Sequence, residues 1–203
     1  MVYDPTYPEI DAKCFITSDW SSFYAGAKEA IPLDAPKPLG KDVDIRFYVD
    51  ADHASDKLRR RSRSGYFCYL NQSLIMWKSK KQSTCETSVF GAEFVAMKVA
   101  METNRGLRYK LRMMGVPVTG PSYFYGDNMS VINNAQRSES VLRKKCNSIC
   151  YHAVREAVAM NELLAAHVPS RENPADLATK TNHPRSLCEF LVSKLLYHIY
   201  DPV

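Results

Sequence analysis

The chain has 203 residues, 45% of them hydrophobic and 24% charged, a balance that fits one well-buried domain with additional terminal segments and excludes a chain dominated by disorder. Lys and Arg outnumber Asp and Glu by 27 to 22, and the net charge of +5 favours a polyanionic partner without requiring one. No apolar run approaches the roughly 20 residues of a membrane span, residues 1–20 lack the charged-then-apolar build of a secretory signal, and six scattered cysteines without zinc spacing read as reduced thiols, so an intracellular protein is expected.

Residues 1–40 form an irregular lead-in containing Pro5, Pro8, Pro32, Pro36 and Pro38. A short helix is expected between Ser18 and Ala30, capped by Ser18 or Asp19, and Asp34–Gly40 reads as a linker. From Asp44 the pattern changes: Ile45, Phe47 and Val49 alternate with Arg46, Tyr48 and Asp50, the period of a half-buried strand. Strand-like runs at Gly65–Leu70 and Ser73–Lys78, separated by Asn71-Gln72, predict an antiparallel hairpin.

A helix is expected from about Gly91 to Met114, with Glu93, Met97, Ala100, Asn104, Leu107, Leu111 and Met114 on one stripe and Gly115 ending it. Ser122–Gly126 reads as a fourth strand leading into Asp127-Asn128 and a short helix with Val131, Ile132 and Ala135 inward. A helix at about Lys145–Met160 should bury Ile149, Ala153, Ala157 and Met160, with Cys146 and Cys150 as core packing. Leu163–Val168 is the fifth strand. Asn173-Pro174 then reads as cap and first position of a helix through Asp176. Ser186 and Glu189 have capping-box spacing for a last helix, with Leu187, Leu191, Leu195 and Ile199 as its apolar stripe. The order predicts an α/β (mixed α+β) fold, a mixed sheet with helices on its faces.

Four carboxylates occupy unusual places in this pattern. Asp50 ends the first strand, Glu93 lies on the inward stripe of the long helix, Asp127 follows the fourth strand and Asp176 begins a helix after the fifth. They converge if the first and fourth strands are neighbours. Four acids at one point raise one another's pKa, and divalent cations remove the difficulty. An all-carboxylate site suits Mg2+ better than zinc, and two such ions suit in-line phosphodiester hydrolysis. A bland reading stands beside this one: Asp127 as a helix cap and Asp176 as a carboxylate complementing a helix dipole. Glu93 is the hardest of the four to explain structurally.

The ordered motifs Tyr48-Val-Asp50-Ala-Asp52-His-Ala54, Arg61-Ser-Arg-Ser-Gly65-Tyr, Trp77-Lys-Ser-Lys-Lys-Gln82-Ser-Thr, Glu86-Thr-Ser-Val-Phe-Gly-Ala-Glu93-Phe, Tyr125-Gly-Asp127-Asn128 and Asn173-Pro-Ala-Asp176-Leu-Ala-Thr-Lys180 cover about residues 44–182. Together they resemble the ribonuclease H domain of Ty1/copia-like LTR retrotransposon polyproteins, especially those of microalgal genomes. The resemblance implies an RNase H-like fold with a five-stranded mixed sheet flanked by helices. It divides the chain into 1–40, a tether from the reverse transcriptase, 41–182, the RNase H domain, and 183–203, a C-terminal helix; Met1 would then not be the start of the natural polyprotein.

The same resemblance assigns Asp50, Glu93, Asp127 and Asp176 as catalytic metal ligands for two Mg2+ ions, with Mn2+ as a substitute and Asp52 as the rival for the first position. It implies RNA/DNA hybrid as substrate, the reverse transcriptase domain of the same polyprotein as partner, no membrane, and a cytoplasmic retroelement particle as location. Candidate substrate contacts are Ser64, Gln82, Thr84, Asn128 and Ser130, with basic clusters at Lys57–Arg63, Lys78–Lys81 and Arg143–Lys145 tracking phosphates. Cellular enzymes of this fold often carry a histidine in the loop before the last aspartate. Here His167 falls inside a strand and reads as structural, and His152 reads as packing or surface. The expected function is metal-dependent cleavage of the RNA strand of hybrids during reverse transcription. The alternative is a catalytically inactive or domesticated module that keeps the fold and binds nucleic acid. An integrase or resolvase relative is disfavoured, since those usually present three acids in another spacing.

Overall fold

In the computed structural model of the chain, residues 2–3, 12–142, 147–180 and 182–197 are described. In chain order their elements are strands β1 (Val2–Tyr3), β2 (Ile45–Asp52), β3 (Arg63–Leu70) and β4 (Ser73–Lys81), helix α1 (Val89–Met113), strand β5 (Ser122–Gly126), helices α2 (Met129–Gln136) and α3 (Ser148–Ala159), strand β6 (Leu163–His167), helices α4 (Asp176–Thr179) and α5 (Arg185–Leu195), and strand β7 (Leu196–Tyr197).

Five strands form a mixed sheet in the order β4-β3-β2-β5-β6. The hairpin partners are antiparallel, whereas β5 and β6 run parallel to β2 because helices separate them along the chain. This is the five-stranded mixed sheet with flanking helices that the residue pattern called for. An additional antiparallel pairing of β1 with β7 ties the two ends of the chain together and has no signal in the sequence.

Being central, β2 is buried on both faces rather than half-buried as its alternation suggested. Ile45, Phe47, Val49 and Ala51 enter the main core with Ala92, Met97, Ala100 and Val154, while Tyr48 joins a smaller cluster with Tyr69 and Ala175 on the other face. Helix α1 starts two residues earlier than expected, at Val89, because Ser88 caps it with a side-chain oxygen that accepts from the Gly91 amide. The stripe holds at Glu93, Met97, Ala100, Asn104 and Leu111, with Leu107 half-buried. Met114 leaves it, 75% exposed, since the chain turns at Gly115 with φ +74.

In α3 the buried face is turned relative to the expected one. Ile149 is 80% exposed, and Tyr151, Val154, Arg155, Ala157 and Val158 face inward. Arg155 decides the phase. Its guanidinium donates to the carbonyls of Asn134, Arg137 and Ser138 and lies over the rings of Trp20 and Tyr151, so a residue that a polarity pattern sends to solvent is held at 2% exposure.

The helix expected between Ser18 and Ala30 is absent. Turns occupy 21–26, Asp19 Oδ1 accepts from the Ser21 amide, and Gly26 has φ +75. Tertiary contacts hold the segment instead. Tyr24 meets His152 Nδ1 at 2.8 Å, and the Leu39 and Val43 amides donate to the carbonyls of Gly115 and Pro117, so the expected linker lies against the domain. In α5, which begins at Arg185, Glu189 accepts from Arg185 Nε rather than closing a capping box with Ser186. Leu191 is its buried anchor. Arg143–Lys145, Cys146 and Ile199 lie outside the described residues. Among the described residues no helix is long and apolar enough to cross a membrane.

Candidate active site

Strands β2 and β5 are parallel neighbours with Val49 opposite Gly126, so the residues that follow, Asp50 and Asp127, emerge side by side at the same end of the sheet. Asp176 arrives from far along the chain. The turn before it is pinned by Asn173, which donates from Nδ2 to the Val49 carbonyl at 3.0 Å and accepts at Oδ1 from the Ala175 amide. Asn173 therefore anchors the turn to β2 instead of capping a helix directly, and α4 starts only at Asp176.

Gly65 makes the approach possible. It sits opposite Asp50 in β3, and a Cβ there would lie 2.6 Å from Thr179 Cγ2 and 2.8 Å from Ala178 Cβ. With no side chain in the way, α4 lies on the sheet and the Thr179 hydroxyl donates to Asp50 Oδ2. The result is a triangle of Asp50, Asp127 and Asp176 in which one carboxylate oxygen from each lies within 4.8 Å of the others. Glu93, 8% exposed on the inner face of α1, lies outside that triangle but within reach of its charge.

The electrostatics are unbalanced. Burial, opposed by the Thr179 hydrogen bond and reinforced by Asp176 and Asp127, pushes the Asp50 carboxyl up to about 7. Burial, together with the charges of Asp50 and Asp127, raises Glu93 to about 9. Lys180, whose Nζ stands 2.6 Å from Asp176 Oδ2, opposes both shifts without cancelling them. Asp176 Oδ1 is buried with no hydrogen-bond partner among the described residues. An all-oxygen donor set, an oxygen left over and excess negative charge fit a hard divalent cation, and these residues could hold one.

Asp52, the rival for the first position, is half-buried and outside the triangle. Of the proposed substrate contacts, Ser64 and Gln82 are both 5% exposed and bonded to each other, with Gln82 Nε2 also donating to the Ala92 carbonyl under the start of α1. Thr84 and Ser130 are exposed. Asn128 caps α2, its Oδ1 accepting from the amides of Ser130 and Val131, and the Thr84 hydroxyl donates to Glu86. His167 closes β6 with Nε2 3.1 Å from the Asp127 carbonyl.

Sequence reasoning read Asn173 only as a helix cap and gave no role to Gly65, Thr179 or Lys180. The signal for the last two was present: Asp176, Thr179 and Lys180 are spaced three and four apart, the step that brings side chains together on one helical turn. Nothing local could mark Gly65, whose value lies in a contact with residues more than 110 positions away.

No family model matches the chain. The retrovirus-related Pol polyprotein from transposon TNT 1-94 of Nicotiana tabacum is 33% identical over 158 residues, 75% of this chain and 12% of the relative. The corresponding polyprotein from transposon RE1 of Arabidopsis thaliana is 30% identical over 141 residues, 70% of this chain and 10% of the relative. The chain thus spans about a tenth of the length of these relatives. Among solved structures, LC11-RNase H1 in complex with RNA/DNA hybrid superposes with a TM-score of 0.53 at 16% identity, over 66% of this chain and 93% of that one. Homologues of the chain are therefore Pol polyproteins of plant Ty1/copia transposons, and its fold is that of ribonuclease H domains.

Proposed function

We propose that this chain, a homologue of retrovirus-related Pol polyproteins with a ribonuclease H fold, is a metal-dependent endonuclease that hydrolyses the RNA strand of RNA/DNA hybrids. One observation carries the reading. Three carboxylates from separate parts of the chain meet within 4.8 Å, beside a fourth that is buried, and their charge is not balanced from within. A structural cluster would be neutralised by its own arginines and lysines; this one is left short of positive charge.

In this reading Asp50, Glu93, Asp127 and Asp176 hold two Mg2+ ions, or Mn2+ in their place. When bound, such a pair supplies the charge stabilisation and the lowered water pKa that phosphodiester hydrolysis requires. Thr179 orients Asp50, and Asn173 holds the Asp176 turn to the end of β2. Thr84, Asn128 and Ser130 offer polar atoms at the rim to the 2′-hydroxyls and phosphates of a hybrid, which is read by shape. Ser64 and Gln82 are buried and bonded to each other, so they act on the substrate only through their neighbours, and the basic clusters at Lys57–Arg63 and Lys78–Lys81 follow its phosphates. The complex of LC11-RNase H1 with RNA/DNA hybrid supports the substrate class, and the Pol relatives support a place within a retrotransposon polyprotein, where this reading sets the chain beside a reverse transcriptase.

The test is cleavage of a labelled hybrid, single-stranded RNA and double-stranded DNA in Mg2+, Mn2+ or chelator. Cutting confined to the hybrid RNA, dependent on metal and lost in Asp127→Asn, is expected. Tight hybrid binding with no cutting under any metal would overturn the enzyme reading in favour of a binding module.

A further inference from the structure

We propose that Lys180 is a displaceable internal counter-ion for the acidic pocket, which holds Asp176 in the metal-free protein and must release it when a divalent cation enters. This rests on the metal-site reading above. Lys180 Nζ lies 2.6 Å from Asp176 Oδ2. The Lys180 side chain is 41% exposed and the Asp176 side chain only 5%, so the ammonium reaches a buried carboxylate from the solvent side on a flexible stem. The other oxygen of the same carboxylate has no partner among the described residues.

A helix-stabilising role does not account for this contact. Helix α4 has four residues, and an i,i+4 pair on a single turn contributes only a few tenths of a kcal/mol to longer helices. Its weight is local: Lys180 is a cation whose charge is felt at Asp50, Glu93 and Asp176 together. A doubly charged ion ligated by Asp176 and an ammonium 2.6 Å from the same carboxylate repel each other, and because Asp176 is buried solvent screens that repulsion only in part. Entry of the ion therefore expels the ammonium. Because coupling is reciprocal, Lys180 lowers the affinity for metal by the factor by which metal loosens Lys180. The pocket can thus fold before any ion arrives, at the expense of metal affinity.

The test uses the full chain without nucleic acid. Mg2+ and Mn2+ binding is measured by calorimetry for the protein and for Lys180→Met and Lys180→Arg, and acylation of the Lys180 amine by a water-soluble ester is followed by mass spectrometry with Mg2+ or with chelator. Lys180→Met is expected to bind metal more tightly, by roughly five-fold or more, while Lys180→Arg keeps the unmodified affinity and Mg2+ speeds acylation of Lys180. Unchanged or weaker binding in Lys180→Met, or acylation indifferent to Mg2+, overturns the counter-ion role and leaves the metal site standing. If Lys180→Met does not fold, the acylation result decides alone. No metal binding by the unmodified chain overturns both readings.

Discussion

Two glutamates at opposite ends of α1 show what a buried charge is for. Glu93 sits near its start, among acids, and is driven up to about 9 by burial and by the neighbouring Asp50 and Asp127. Glu29 comes from the lead-in and meets the last turns of the same helix, roughly 20–30 Å away. Burial pushes its carboxyl up as well, but hydrogen bonds from Arg108 and Arg112 hold it at about 2. Arg108 Nε and Nη2 reach the two Glu29 oxygens at 2.7 and 2.8 Å, and Arg108 Nη1 donates to the Gly120 carbonyl. One cluster is closed within the chain; the other stays open. The closed cluster serves stability, and the open one suits a cation that comes from solution.

The contrast breaks in measurable ways, the largest expected at the open end. Asp127→Asn should lower hybrid cleavage by about 10³-fold or more while leaving the melting temperature of the metal-free protein unchanged or higher. A cleavage rate within a few-fold of the unmodified protein would remove Asp127 from the site. At the closed end the pattern should invert. Glu29→Ala leaves Arg108, 2% exposed, without its carboxylate and should cost about 3 kcal/mol in denaturant unfolding, with metal affinity unchanged. Equal stability of this variant would mean that the lead-in is not docked as described.

Between these, Thr179→Val removes the hydroxyl that donates to Asp50 and should weaken metal binding about 10- to 100-fold by calorimetry with little loss of fold. The smallest effect is on pH dependence, and its sign differs at the two ends. Asp50 and Glu93 have raised values, so the native state holds protons that the unfolded state has released. They therefore stabilise the metal-free protein below about pH 4, and that contribution is lost as pH rises through about 7 and about 9. Glu29 is lowered, so its contribution is present above its ordinary 4.5 and lost as pH falls toward about 2. Melting curves in chelator should fall between pH 5 and 9, Mg2+ should flatten the fall, and Asp50→Asn should raise metal-free stability by about 0.5–2 kcal/mol. A metal-free melting temperature that climbs across this range would contradict the unbalanced pocket.

The sheet strands and α1 were legible because their residues obey the simplest periods, but the strand order was not: that β2 and β5 are neighbours was a condition for the acids to meet, and the structure supplies it. The same rules misplaced the stripe of α3, since they read Arg155 as a solvent residue when carbonyls and aromatic rings hold it inside. They gave the lead-in a helix and a free linker because the contacts that fix it, Glu29 to Arg108 and Arg112 and Trp20 to Arg155, join residues about 80 to 135 positions apart.

By itself the sequence determined the kinds of element, their order and the four acids that stand against the hydrophobic pattern, because periodicity and misplaced charge are local properties. Which oxygens meet, that Gly65 clears the way for α4, and which acids are neutralised were decided only by tertiary structure. Those are questions of distance and dielectric, which depend on everything packed around a side chain rather than on its neighbours along the backbone.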